Sequence, residues 1–235
     1  MSPIFRKKTN NTRYRVDPDH FSMIGWLVFS FILMSLSMMM PQFATQSRTS
    51  ILNAITPFVY AVTIPFQAIG SNVNEDAFKN KGLSLIELTE TLALLKARDL
   101  ARKYPDSIII GSDQAVGFND LVFSKPGTAE KAMEQLASLS GKTHQLVTSV
   151  AIIQGSKEIL FHQVTQLKMR ELTLSQIKNY ISLDSLLDCA GSYKIEEHGI
   201  ALFESIAGQD FNSIIGLPLM ETLSILRNEF QVDFL

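Results

Sequence analysis

The chain has 235 residues, room for one catalytic-sized domain and a short appendage but not for a multidomain assembly. Its 21 Lys and Arg against 23 Asp and Glu leave a net charge of -2, which argues against a binder of phosphate backbones, so nucleic acid is not an expected partner. With 46% hydrophobic and 19% charged residues the composition excludes a disordered or fibrous chain.

Residues 21–40, FSMIGWLVFSFILMSLSMMM, carry no charge. A helix of that length reaches ~30 Å and satisfies its own backbone, so one transmembrane helix is predicted there. The basic residues Arg6, Lys7, Lys8, Arg13 and Arg15 precede it and predict a cytoplasmic amino terminus with the carboxyl side outward, an inner-membrane anchor. A cleaved signal peptide and an apolar core helix are the alternatives. The first has an apolar region of only about 7 to 15 residues. The second needs a larger surrounding protein than this chain supplies. Residues 41–63 contain two prolines and no clear amphipathic period. The start MSPIF, the basic cluster, the apolar run and RTSILNAITPFVYAVTIP together resemble the amino-terminal anchor of the MreC family of rod-shape-determining proteins.

Past residue 80 the pattern becomes globular α/β. Ser84 and Glu87 form a capping-box signature, and Leu85, Leu88, Leu92 and Leu95 recur at helical spacing up to about Lys103. After the turn at Tyr104-Pro105-Asp106, residues 107–110 read as a short buried strand that ends in Gly111-Ser112-Asp113-Gln114. Asp113 is thereby expected at a strand's carboxyl end. Ligand crevices of open α/β sheets lie there, so its carboxylate is a candidate for binding metal or activating water, with a turn-forming aspartate as the bland alternative.

A helix is predicted from about Thr128 to Leu139, ended by Gly141. HQLVTSVAIIQ and KEILFHQVTQLKM, joined at Gln154-Gly155-Ser156-Lys157, form a predicted hairpin rich in β-branched residues. LTLSQIKNYIS reads as a short helix, residues 190–194 as a polar connection and GIALFESIAG as a strand region. A last helix runs from about Leu217 to Phe230, with Pro218 in its first turn. The single cysteine, Cys189, permits no internal disulfide, and the four histidines lack metal-site spacing.

Five motifs stand in order: IIIGSDQ (108–114), SKPG (124–127), LSGKTHQLVT (139–148), DCAGSYKIEEHG (188–199) and IAGQDFNSIIGLPL (206–219). Together they resemble the Maf family of nucleotide pyrophosphatases over residues 65–235. The resemblance implies an α/β fold, a mixed twisted sheet flanked by helices around a nucleotide-binding cleft, here preceded by one hydrophobic helix. It implies two parts, 1–64 as basic terminus, spanning helix and linker and 65–235 as the catalytic domain. It also implies hydrolysis of a nucleoside triphosphate between its α and β phosphates with a divalent cation, Mg2+ or Mn2+, in the cytoplasm, and a homodimer as the expected assembly.

On the family pattern Asp113 is the general base and a metal ligand, Glu75 is a second metal ligand, and Lys96 and Lys125 face the phosphates. Gln114, where the pyrimidine-selective branch has threonine, and Glu196 resemble the branch acting on 7-methyl-GTP. A carboxylate can accept hydrogen bonds from guanine N1–H and its amino group, and its charge suits the cationic methylated ring. Unaided by the resemblance, Lys96 reads as a solvated helix lysine, Glu75 as a loop charge, and Glu196 with Glu197 as a surface pair.

The sequence departs from the family at its start. Maf proteins open with a loop of the type Ser-x-Ser-Pro-Arg-Arg that grips phosphates, whereas the nearest string here, Ala54-Ile55-Thr56-Pro57-Phe58-Val59, has no arginine. A fusion near residue 64 accounts for this, and it raises a second reading: a membrane-tethered, catalytically impaired scaffold. An outward-facing domain also conflicts with a cytoplasmic nucleotide substrate.

Overall fold

The computed structural model describes residues 67–233, apart from 80, 120, 185 and 188. The first element is a one-turn helix, α1 (Asp76–Lys79), followed by α2 (Leu85–Ala101). The start of α2 is set by the capping box read from sequence: the Ser84 hydroxyl accepts from the Glu87 N–H, and the Glu87 carboxylate accepts from the Ser84 N–H. Leu88, Leu92, Ala93 and Ala97 face inward from it.

Next come β1 (Ile109–Phe118), the short β2 (Leu121–Phe123) and α3 (Ala129–Leu139), which Thr128 caps. The hairpin of β3 (Thr143–Gln154) and β4 (Lys157–Met169) is in register from Gln154↔Lys157 to Thr143↔Lys168. Gly155 takes a positive φ of 58° at the first of its two loop positions, where a side chain would be strained. Then follow α4 (Leu174–Leu183), with a capping box of Thr173 and Gln176, and 3-10 turns at Ala190–Ser192 and His198–Leu202. The chain continues through β5 (Phe203–Ala207), the one-turn α5 (Asn212–Ile215) and α6 (Leu219–Phe230). Helix α6 starts two residues later than its periodicity suggested, with Pro218 outside it at the cap position.

The sheet order is β2-β1-β3-β4-β5. An α/β layering of sheet and helices is therefore present as expected. Every pairing among the described residues is antiparallel, so the parallel contact that a mixed sheet implies is not found among them. The predicted hydrophobic helix at 21–40 lies outside the described residues. No helix among the described residues is long and apolar enough to cross a membrane.

One expectation is corrected. Asp113 does not end a short strand: it sits in the middle of the ten-residue β1, opposite Ser149. Strand β3 supplies pairing partners from Ile109↔Ile153 through to Gly117↔Gln145. Along its β3 side the Gly-Ser-Asp-Gln stretch thus has a continuous ladder of partners, which a turn would forgo.

Helix α2 covers one face of the sheet, where Ala93 and Ala97 meet Ile109, Ala151 and Ile153. Small residues allow this close approach. A Cβ at Gly111 would lie 2.6 Å from the Ala93 carbonyl oxygen and 2.7 Å from the Ala97 nitrogen. The opposite face carries two separate apolar clusters. In one, Val116, Leu146, Leu167 and Met169 pack with Leu136 and Leu139 of α3 and Ile177 and Tyr180 of α4. In the other, Ile110, Val150 and Ile152 pack with Leu217, Leu219 and Leu226. The first cluster buries His144. Its Nε2 lies 3.0 Å from the Tyr193 hydroxyl, its Nδ1 has no hydrogen-bond partner among the described residues, and burial holds its pKa down at about 4.

Candidate active site

Because consecutive strand residues point to opposite faces, Asp113 shares the α2 face with Gly111. The approach of α2 at Gly111 brings Lys96, the residue before Ala97, over the strand. The Lys96 ammonium lies 2.6 Å from Asp113 Oδ1 and 2.8 Å from Glu75 Oε1. Glu75 arrives from the segment ahead of α1. That segment is moored to α2 by the Asn72 N–H, which donates to Asp99 Oδ2 at 3.0 Å. Two carboxylates from separate parts of the chain therefore converge on one cation.

The site is sheltered but open at one end, the Asp113 side chain being 10% exposed and that of Glu75 35%. Burial pushes the Asp113 carboxyl up to about 6, with the Lys96 charge offsetting part of the rise and Glu75 adding to it. Burial alone would lower the Lys96 pKa, but the two carboxylates outweigh it and hold the ammonium protonated. A carboxylate of this kind, ionised at neutral pH and poorly solvated, is suited to accepting a proton from water.

Lys125 stands in the loop after β2, near enough that its charge also favours the ionised form of Asp113. Its loop is fastened at both ends. The Gly127 N–H donates to the Leu187 carbonyl at 3.1 Å, and Gln135 Nε2 donates to the Ser124 carbonyl at 2.8 Å. Gln135 Oε1 in turn accepts from the Ser192 hydroxyl at 2.6 Å, linking the lysine loop to the 190–192 turn.

Of the residues expected at the site, the structure thus gathers Glu75, Lys96 and Asp113, with Lys125 beside them. The other two lie apart. Gln114 points to the opposite face, where its Nε2 donates to the carbonyls of Ser213 at 2.8 Å and Ile214 at 3.0 Å. Glu196 is exposed in the turn after Lys194, whose ammonium is 3.2 Å from Glu197. Near Asp113 a buried pair that sequence reading missed joins α2 to β3, Thr89 Oγ1 and Ser149 Oγ at 2.7 Å. Ser149 is Asp113's register partner, so this bond fixes the helix to the sheet beside the carboxylate. Sixty residues separate the two hydroxyls, and no local pattern marks such a contact.

Among the described residues no cluster of three or more His, Cys, Asp or Glu is arranged to hold a metal. Glu75 and Asp113 nonetheless offer an oxygen-only pair directed at a single cation. Mg2+ is commonly held by one or two carboxylates with substrate phosphates and water completing its shell, so these residues fit such an ion.

A family model described as Maf-like protein matches residues 44–229. Among curated proteins the chain is 46% identical over 156 residues to a 7-methyl-GTP pyrophosphatase of Bdellovibrio bacteriovorus, covering 66% of this chain and 82% of that one. It is 35% identical over 170 residues to a 7-methyl-GTP pyrophosphatase of Xanthomonas axonopodis, covering 72% and 88%. It is 41% identical over 159 residues to a dTTP/UTP pyrophosphatase of Pyrococcus furiosus, covering 66% and 80%. The family match begins at residue 44, inside the stretch expected from sequence to belong to an MreC-like anchor, and the comparisons do not support that expectation.

Proposed function

The chain belongs to the Maf family, and from that premise we propose that it hydrolyses a nucleoside triphosphate between the α and β phosphates, with 7-methyl-GTP preferred. The products are the nucleoside monophosphate and pyrophosphate. The observation that carries this reading is the convergence of Glu75 and Asp113 on the Lys96 ammonium.

Asp113 acts as the general base. As the water oxygen bonds to the α phosphorus and the bond from that phosphorus to the α–β bridging oxygen breaks, the water proton passes to an Asp113 oxygen and the electron pair leaves on the departing pyrophosphate. Lys96 and Lys125 supply positive charge for the phosphate oxygens, where negative charge builds in the transition state. A divalent cation, Mg2+ or Mn2+, would be held by Glu75 and Asp113 and would neutralise further phosphate charge. Glu196 is assigned to the base, its carboxylate accepting from the guanine N–H groups. Gln114, whose amide donates to the Ser213 and Ile214 carbonyls, is assigned with Glu196 to selection among nucleotides.

Residues 65–235 are proposed as the catalytic unit. Residues 44–64, also matched by the family model, fall where the family carries its arginine-bearing phosphate loop, and they contain one arginine, Arg48, outside any such motif. Loss of one such donor lowers turnover by roughly 10²- to 10³-fold, so a slow enzyme is expected.

The test uses the full chain with Mg2+ and a panel of methylated and canonical triphosphates, pyrophosphate being measured beside Asp113→Asn. Release with 7-methyl-GTP that vanishes in the variant supports the reading. Release no greater than in the variant rejects it and leaves the scaffold.

A further inference from the structure

The turn that carries Glu196 is closed on itself. The Gly199 N–H donates to the Lys194 carbonyl at 2.8 Å, and a Cβ at Gly199 would stand 2.2 Å from that carbonyl oxygen, so only glycine fits there. Ile195 is buried in the larger apolar cluster, while Glu196, Glu197 and His198 are exposed.

Two residues at the end of α4, one helical turn apart, hold this turn from outside. The Tyr180 hydroxyl accepts from the Lys194 N–H at 3.0 Å, where the turn begins. Asp184, the C-cap of α4, accepts from the His198 N–H at 3.2 Å through Oδ2, and its Oδ1 is hydrogen-bonded to His198 Nδ1. Tyr180 and Asp184 are also joined to each other. Burial pushes the Tyr180 phenol's pKa up, the Lys194 N–H offsets part of the rise, and a hydrogen bond to the Asp184 carboxylate adds to it. One unit thus grips residues 194 and 198, on either side of Glu196.

For α4 itself, aspartate is a poor choice at 184. A carboxylate at a helix C-terminus opposes the dipole, and this side chain is only 1% exposed, which adds a desolvation cost unless its oxygens are hydrogen-bonded. Glycine or asparagine would end a helix better. Both Asp184 oxygens are instead engaged by His198. A side chain that breaks a local rule and is satisfied only by distant partners points to a purpose outside its own helix.

We propose that Asp184, supported by Tyr180, is a positioning residue for Glu196: it fixes the 194–199 turn to the end of α4 so that the Glu196 carboxylate meets the nucleobase in one orientation. The inference rests on the proposed base-reading role of Glu196 and deepens it. Asp184 acts through the turn and not on the substrate. Contacts to the base are made in the bound substrate as well as in the transition state, so weakening them raises KM and leaves kcat alone. General damage to the fold would instead lower activity with every nucleotide alike.

The experiment compares the full-length wild type with Asp184→Ala, Asp184→Asn, the near-isosteric Tyr180→Phe, Glu196→Ala and the double variant Asp184→Ala/Glu196→Ala, using 7-methyl-GTP and UTP with Mg2+. Backbone amide exchange at 194–199 is followed in parallel. Asp184→Ala and Tyr180→Phe should raise KM for 7-methyl-GTP by about 10-fold, with kcat little changed and KM for UTP, which lacks the guanine amino group, moving less. Asp184→Asn, which keeps an acceptor for the His198 N–H, should recover most of the preference. In the Glu196→Ala background the Asp184 change should have no further effect on preference. Wild-type preference in both Asp184→Ala and Tyr180→Phe, or effects of Asp184→Ala and Glu196→Ala that simply add, overturns the proposal while leaving Glu196 as the base reader. An unchanged preference in Glu196→Ala overturns the base-reading role and the positioning with it. If the wild type turns over no nucleotide, the proposed activity fails separately. The grip on the turn is then decided by exchange alone: faster exchange at 194–199 in Asp184→Ala and Tyr180→Phe with the sheet unchanged supports it, and no change in either variant rejects it.

Discussion

Gly111→Ala tests the link between packing and chemistry most directly. The new Cβ would stand 2.6 Å from the Ala93 carbonyl oxygen and 2.7 Å from the Ala97 nitrogen, both backbone atoms that no rotamer change can remove, and ordinary contact begins at 3.4 Å. Helix α2 must therefore back away from β1 by about 0.8 Å, and overpacking of this kind costs about 1–3 kcal/mol of stability. Lys96 moves with the helix. Its 2.6 Å contact with Asp113 would lengthen to about 3.4 Å, weakening the attraction by about 1.5 kcal/mol at an effective dielectric of about 20. A displacement of this size at reacting groups lowers turnover by up to about 10²-fold. Urea unfolding gives the first quantity and pyrophosphate release with 7-methyl-GTP the second. A variant with wild-type stability and wild-type kcat would refute the claim that this glycine sets the helix-to-strand distance at the site.

Two further outcomes follow from the buried charges. Lys96→Met removes the ammonium between Glu75 and Asp113 and is expected to destabilise the fold by about 3 kcal/mol at pH 8. The loss should be smaller at pH 5, below the value of about 6 to which the Asp113 carboxyl is raised, because the protonated acid no longer needs a counter-charge; urea titrations of both proteins at the two pH values check this. His144, held at about 4 by burial, resists a proton that the unfolded chain accepts near 6.5. Stability is therefore present above pH 6.5 and lost as pH falls toward 4, by about 2 kcal/mol at pH 5. His144→Gln should unfold with that part of the acid dependence gone, and an unchanged pH profile would contradict the assignment.

Local chemistry was legible in the residues themselves. The α2 start depends on Ser84 and Glu87, three positions apart, and the β3–β4 hairpin on alternation around Gly155. Each signal is complete within a few residues, so sequence alone placed those elements and, by resemblance, named Glu75, Lys96, Lys125 and Asp113 together. The extent of β1 was not legible. Gly111 and Ser112 read locally as a turn, and only the unbroken ladder offered by β3 keeps them extended. The sorting of Asp113 and Gln114 to opposite faces followed from that same extension. So did the hydrogen bonds of Ser112 and Gln114 on the back of the sheet, whose partners stand 34 to 104 residues away. Composition and spacing determine what each short segment prefers. Which groups meet across the sheet was decided by tertiary packing, because burial and the need to pair every backbone amide act on the whole layer at once.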